Sequence, residues 1–223
     1  GRHLTAPRPL SLDPGDPRQP RPLLMPAGVL AAGTAFATSP LRAEGIDVDA
    51  ILNDPAAPTA GNPKGDVTVV AYLDYNCPFC KKSAPDLERA AREDGEIRLV
   101  YKDWPILTDA SVYGARMALA ANYQGGYRKV HDALMAIPGR GISQERMMEA
   151  IQASGVDVRR LEADLAAHGE EITALLRRNL EQADALGLEG TPTYLIGPFR
   201  TSTLDYAGFK EAFVEARRRQ AAK

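Results

Sequence analysis

The stretch DYNCPFCKK, residues 74–82, holds Cys77 and Cys80, the two cysteines of the 223-residue chain. Two thiols three positions apart admit three chemistries: half of a tetrahedral zinc site, a structural disulfide, or disulfide exchange with another molecule. Zinc needs two further ligands, and there is no second C-x-x-C. The three histidines, His3, His131 and His168, show no ligand spacing. A structural bridge across so short a loop removes little entropy from the unfolded chain and stabilises weakly. The pair therefore reads as a redox centre needing no metal and no cofactor. If the segment opens a helix, Cys77 is expected to face solvent, where unpaired N–H groups and the helix dipole favour a thiolate. Cys80, one turn in, should be more buried and less ionised, so that Cys77 attacks or is attacked and Cys80 resolves the mixed disulfide.

Such a pair works only if the chain holds it rigidly. VTVVAYLDY, residues 67–75, is dense in β-branched and aromatic residues and reads as a buried strand leading into the cysteines. PFCKKSAPDLERAAREDG predicts a helix that opens near Cys77, stops at Gly95 and is kinked at Pro85. EIRLVYKDW, residues 96–104, predicts a second strand, and the short connection implies a right-handed βαβ unit with parallel strands. From Thr108 to Gly187 the pattern is helical, with five short helices punctuated by N-cap candidates Ser143 and Asp157 and by terminating glycines 125, 155 and 169. In the last of these, Ile172, Leu175, Leu176, Leu180 and Ala183 mark one buried face. Met117, Met147 and Met148 read as core filling. TPTYLIG, residues 191–197, returns to strand character. A final helix follows, capped by Asp205, with an apolar stripe of Tyr206, Phe209, Phe213 and Ala216. The order βαβ, helical block, ββα places strands on both sides of an insertion in one sheet, an α/β arrangement. Thr191-Pro192 opens the returning strand; such a bond adopts the cis form at modest cost, and a strand-initial proline leaves neighbouring backbone groups open.

The remaining sequence limits the setting. The chain is 44% hydrophobic and 25% charged with a formal net charge of −2, which lacks the basic footprint of a nucleic-acid or anionic-membrane binder. Residues 1–22, rich in Pro, Arg and Gly, read as disordered. LLMPAGVLAAGTAFA, residues 23–37, follows Arg18 and Arg21 and ends in an A-x-A pattern, which predicts an export signal cut after Ala37, with a second possible cut after Ala43. Export would place the pair where disulfides persist. The organisation expected is a lead with signal over 1–37, an N-terminal lead over 38–64, a βαβ unit with the cysteines over 65–107, a helical block over 108–188 and a ββα unit over 189–223.

Over residues 60–220 the chain resembles the DsbA-like group of exported thiol:disulfide oxidoreductases in the thioredoxin superfamily. The resemblance is carried by YNCPFC after a hydrophobic strand, Pro85 in the next helix, the helical insertion and GTPTYLIG. It implies a thioredoxin fold, a central mixed sheet flanked by helices with an inserted all-helical block. It also implies that Thr191 and Pro192 form a cis-proline loop beside the cysteines, where Thr191 holds substrate backbone in a β-like pairing. Protein substrates with cysteine thiols or disulfides, a membrane redox partner and a periplasmic or otherwise exported location follow from the same resemblance. Pro78 and Phe79 between the cysteines depart from the strongest oxidants, which carry histidine where this chain has Phe79; a less oxidising pair, toward reductase or isomerase work, is one reading. A redox-inert binding or chaperone module is another. Ala71 stands where many relatives place a buried acid, Asp74 reads as a strand-end aspartate, and Lys81 or water is left to move the Cys80 proton. The short lead offers no room for a long oligomerising stalk, so a monomer is expected.

Overall fold

The run Val67–Leu73 forms the central strand of a mixed sheet, buried along six of its seven residues. Successive side chains of a strand point to opposite faces, so a strand apolar throughout needs cover on both sides. Val69, Ala71 and Leu73 enter one core, and Val70 and Tyr72 a second. The computed structural model describes residues 39–40 and 45–222; the expected disordered lead and the export signal over 23–37 lie outside them.

In chain order the elements are β1 (Ser39–Pro40), α1 (Val48–Leu52), β2 (Thr59–Gly61), β3 (Val67–Leu73), α2 (Pro78–Asp94) and β4 (Ile97–Asp103). Five helices follow: α3 (Asp109–Asn122), α4 (Tyr127–Met135), α5 (Gln144–Ala153), α6 (Val158–Ala167) and α7 (Gly169–Ala185). The chain returns to the sheet through β5 (Thr193–Ile196) and β6 (Phe199–Thr201) and ends in α8 (Tyr206–Ala221). The sheet order is β1-β6-β5-β3-β4-β2. β3 and β4 are parallel with Val67 opposite Ile97 and Leu73 opposite Asp103, while β5 runs antiparallel to β3. The strands before and after the helical insertion thus share one sheet, the thioredoxin architecture. No described helix is long and apolar enough to cross a membrane.

α2 and α8 pack together on one face of the sheet, where Leu87, Ala90, Phe209, Phe213 and Ala216 are buried. α2 runs continuously through Pro85 and ends at Gly95, whose φ of +79° is the left-handed conformation that closes a helix. On the other face, Ile51 of α1 and Ala183 of α7 cover Val70, Tyr72, Val100 and Trp104. In the helical block α3 is central, touching α4, α5, α6 and α7. Its small residues permit this, and at Gly114 a Cβ would lie 2.9 Å from Met147 Sδ and 3.3 Å from the Tyr75 ring.

Three expectations change. The buried face of α7 runs through Ile172, Leu175, Asn179 and Ala183, and Leu180 is 42% exposed. Asn179 takes the inward place because its side chain donates to the Asp103 carbonyl at 3.0 Å. Gly169 does not end a helix but begins α7. The break falls at His168, which caps both helices and stacks on Tyr123 with ring centroids 3.9 Å apart. β2 falls in the segment read as lead, pairing antiparallel with β4 at the sheet edge.

Candidate active site

The turn between β3 and α2 is fixed before the cysteines begin. The buried Asp74 carboxylate accepts from the backbone N–H of Asn76 (2.7 Å), Ile106 (2.9 Å) and Leu107 (3.0 Å) and from Ser111 Oγ (2.7 Å). It is thus an anchor joining the turn to the loop after β4 and to α3, in keeping with a strand-end role. Asn76 adds a second tie. Its amide donates to Thr108 Oγ1 and the Ile142 carbonyl at 2.8 and 3.2 Å, and its carbonyl accepts from Ile142 N–H at 2.7 Å.

Cys77 is the N-cap of α2, its sulfur accepting from Cys80 N–H at 3.3 Å. Pro78 follows at the first helical position, where its missing N–H is no loss. The Thr191-Pro192 bond is cis, and the Thr191 carbonyl accepts from the Cys77 thiol at 3.2 Å. Cys77, Cys80, Thr191 and Pro192, distant in sequence, therefore meet at one place. Ser83 Oγ and the Tyr194 hydroxyl, 2.5 Å apart and buried, lock α2 to β5, the strand that begins just after Pro192. Sequence reasoning missed this pair and Asn76, because side-chain ties across more than thirty residues leave no local pattern.

Cys77 does not face solvent. It is 2% exposed against 0% for Cys80, because the Thr191 carbonyl lies against its sulfur. Both cysteines are free thiols. The difference between them is electrostatic. The Cys80 side chain above all, then Thr191 and the backbone N–H groups of Cys80 and Phe79, stabilise charge on Cys77 against burial and lower its thiol to about 6. Apart from this pull on the Cys77 sulfur, the buried Thr191 hydroxyl makes no hydrogen bond among the described residues. Burial first, and then the Cys77 sulfur, push Cys80 far above its ordinary value. The result is one sulfur ready as nucleophile or leaving group and one that keeps its proton. Phe79 is 60% exposed, contributing only its backbone N–H to Cys77. Ala71 is buried in mid-strand opposite Tyr101 and Tyr194. Lys81 donates to the Gly139 carbonyl at 3.4 Å, and burial lowers its ammonium. Beside the cis-proline lies an open cavity of about 450 Å³ lined by residues including Leu188, Thr191, Pro192, Arg200 and Thr203.

A paired thiol at a helix start, beside a cis-proline that leads into a strand of the sheet, is the arrangement of thioredoxin-fold proteins with a C-x-x-C. The family model described as Thioredoxin matches residues 53–214, and this chain belongs to that family. Among solved structures, it is similar to a thioredoxin-like oxidoreductase from Silicibacter pomeroyi DSS-3, with 36% identity, a TM-score of 0.71, and coverage of 77% of this chain and 98% of that one. It is also similar to the thiol-disulfide exchange protein alpha-DsbA2 from Wolbachia pipientis (26%, 0.69, 75% and 90%). A third is a periplasmic thioredoxin-like protein from Salmonella enterica serovar Typhimurium (26%, 0.65, 75% and 94%). Among curated proteins, Na(+)/H(+) antiporter NhaA 3 of Salinispora tropica is 29% identical over 173 residues, 71% of this chain and 25% of that protein. The chain spans about a quarter of the length of such curated relatives. The fold is like that of thiol-disulfide exchange proteins, and the chain carries a close cysteine pair within it.

Proposed function

We propose that the chain is an exported thiol:disulfide oxidoreductase of the DsbA-like kind, exchanging disulfides with protein substrates through Cys77 and Cys80. The observation that carries this reading is the Cys77 sulfur, held at the start of α2 and 3.2 Å from the Thr191 carbonyl of the cis-proline loop. In the oxidising direction a substrate thiolate attacks the Cys77 sulfur of the Cys77–Cys80 disulfide. Cys80 leaves with the bond electrons and takes up a proton. A second substrate thiolate then attacks the substrate sulfur of the mixed disulfide and expels Cys77 as thiolate. Reduction runs the steps backwards, with Cys80 releasing the substrate. The backbone of Thr191 would pair with an extended substrate segment. Exposed Phe79, Ile106 and Leu107 offer apolar contact to an incompletely folded chain.

Export is supported by the signal-like pattern over residues 23–37 and by the periplasmic relative from Salmonella. A membrane protein that resets the pair, and action as a monomer, belong to the same proposal. A second reading, a reductase or isomerase kept reduced by such a partner, is favoured by Phe79, which supplies no side-chain hydrogen bond to the Cys77 thiolate. Insulin reduction and refolding of a reduced substrate test the reaction class. Wild type should exceed Cys77→Ser at least tenfold in one of them, and equal rates in both would reduce the chain to a redox-inert binding module.

A further inference from the structure

Away from the cysteines, the seam between α2 and α4 holds groups that the redox chemistry does not use. Glu88 on α2 and His131 and Asp132 on α4 each offer one ligand atom, and these three atoms lie within 4.8 Å of one another. With Pro85 and Met135 they line a cavity of about 250 Å³. His131 is 1% exposed and packs among the rings of Tyr75, Tyr101 and Tyr127. Its Nδ1 lies 3.0 Å from the Tyr75 hydroxyl. Its Nε2 is buried with no hydrogen-bond partner among the described residues, and the Glu88 carboxylate at 3.6 Å is too far to serve as one. A buried nitrogen left so calls for an explanation.

The hydrogen-bond chain behind His131 supplies part of it. The Tyr75 hydroxyl also meets the buried Asp103 carboxylate. When Tyr75 donates its proton to Asp103, it accepts from Nδ1–H of His131, and the lone pair of Nε2 is free on the cavity side. Metal-binding histidines are held in this way, one nitrogen fixed by an outer hydrogen bond and the other presented to the ion.

We infer that Glu88, His131 and Asp132 form a site for a divalent transition metal of the zinc class, with the cavity admitting water as a further ligand. One imidazole nitrogen with two carboxylate oxygens suits zinc over magnesium. Bonds of about 2.0–2.2 Å require the three atoms to draw together, and Asp132, whose side chain is 53% exposed, has the freedom to do so. The competitor is Arg128, whose guanidinium lies 2.5 Å from Glu88 and 3.0 Å from Asp132. It bonds both carboxylates without an ion, and its guanidinium, which also meets the Tyr101 hydroxyl and ring, swings into water when an ion replaces it. Tyr101, donating to Glu88 Oε1 at 3.2 Å, stays as an outer support. A bound ion ties α2, the helix that begins at Cys77, to the helical block.

The test uses the full chain carrying Cys77→Ser and Cys80→Ser, so that the thiols cannot bind metal. Calorimetric titration with Zn²⁺ and visible absorption with Co²⁺ should both give one ion per chain, with Mg²⁺ binding at least about a hundredfold weaker. Asp132→Asn, at a half-exposed position, should weaken Zn²⁺ at least about tenfold, and Arg128→Gln should tighten it at least about threefold by removing the competing cation. His131→Asn should abolish the Co²⁺ bands; if that buried substitution prevents folding, the Asp132 and Arg128 variants decide. Absence of Zn²⁺ binding, or an affinity unchanged by both Asp132→Asn and Arg128→Gln, overturns the site.

Discussion

With its thiol lowered to about 6, Cys77 is about nine-tenths thiolate at pH 7, whereas Cys80 keeps its proton. The folded value lies below the ordinary 9.0, so this charge stabilises the reduced protein fully above about pH 9. The contribution is lost as pH falls through about 6. Alkylation of the reduced protein by iodoacetamide, followed against pH, should therefore show a midpoint near 6; a midpoint near 9 would contradict the site's electrostatics. Thr191→Val keeps the branched shape and removes a hydroxyl that favours the thiolate, so the midpoint should rise. Phe79→His should lower it by placing a donor beside the sulfur and make the disulfide more oxidising, as measured by equilibrium with glutathione. The cysteine spacing announced the chemistry in the sequence. That Cys77 is buried was not legible, because the covering carbonyl comes from a residue 114 positions away.

At the scale of elements, the cysteine helix owes its position to polar ties as much as to apolar packing. Asn76 joins the β3–α2 turn to the helical block through three hydrogen bonds. Asn76→Ala leaves Ile142 N–H and its carbonyl without these partners and should cost about 1–3 kcal/mol. Urea unfolding of the oxidised protein measures this, and a loss below about 0.5 kcal/mol would mean that water replaces the tie. The same division explains what could be read in advance. β3, α2, β4 and α8 were legible because their apolar spacing, caps and terminating Gly95 are local signals. β2 was not, since Thr59–Gly61 is held by pairing with β4, and Leu180 was misplaced because Asn179 answers to a distant carbonyl.

Across the whole molecule, the segment between α1 and β2 is bound to the sheet and to α7 by a buried ion cluster. Asp54 accepts from Lys102 Nζ of β4 at 3.1 Å and from two nitrogens of Arg178 of α7 at 2.9 Å each. Burial raises the Asp54 carboxyl, but Arg178, Ala56 N–H and Lys102 outweigh it and lower the group from 3.8 to about 2. The folded value is the lower, so the stabilisation is complete above about pH 4 and is lost as pH falls through about 2. Asp54→Asn strands the fully buried Lys102 and should cost about 3–5 kcal/mol at pH 7. In urea unfolding the difference from wild type should shrink toward pH 2, and a difference constant with pH would assign the effect to packing instead. The central claim, that the pair is a working disulfide and not a staple, is tested most directly by its reduction potential against glutathione. The account predicts a value between about −270 and −120 mV; a value below about −300 mV, the range of structural disulfides, would contradict it.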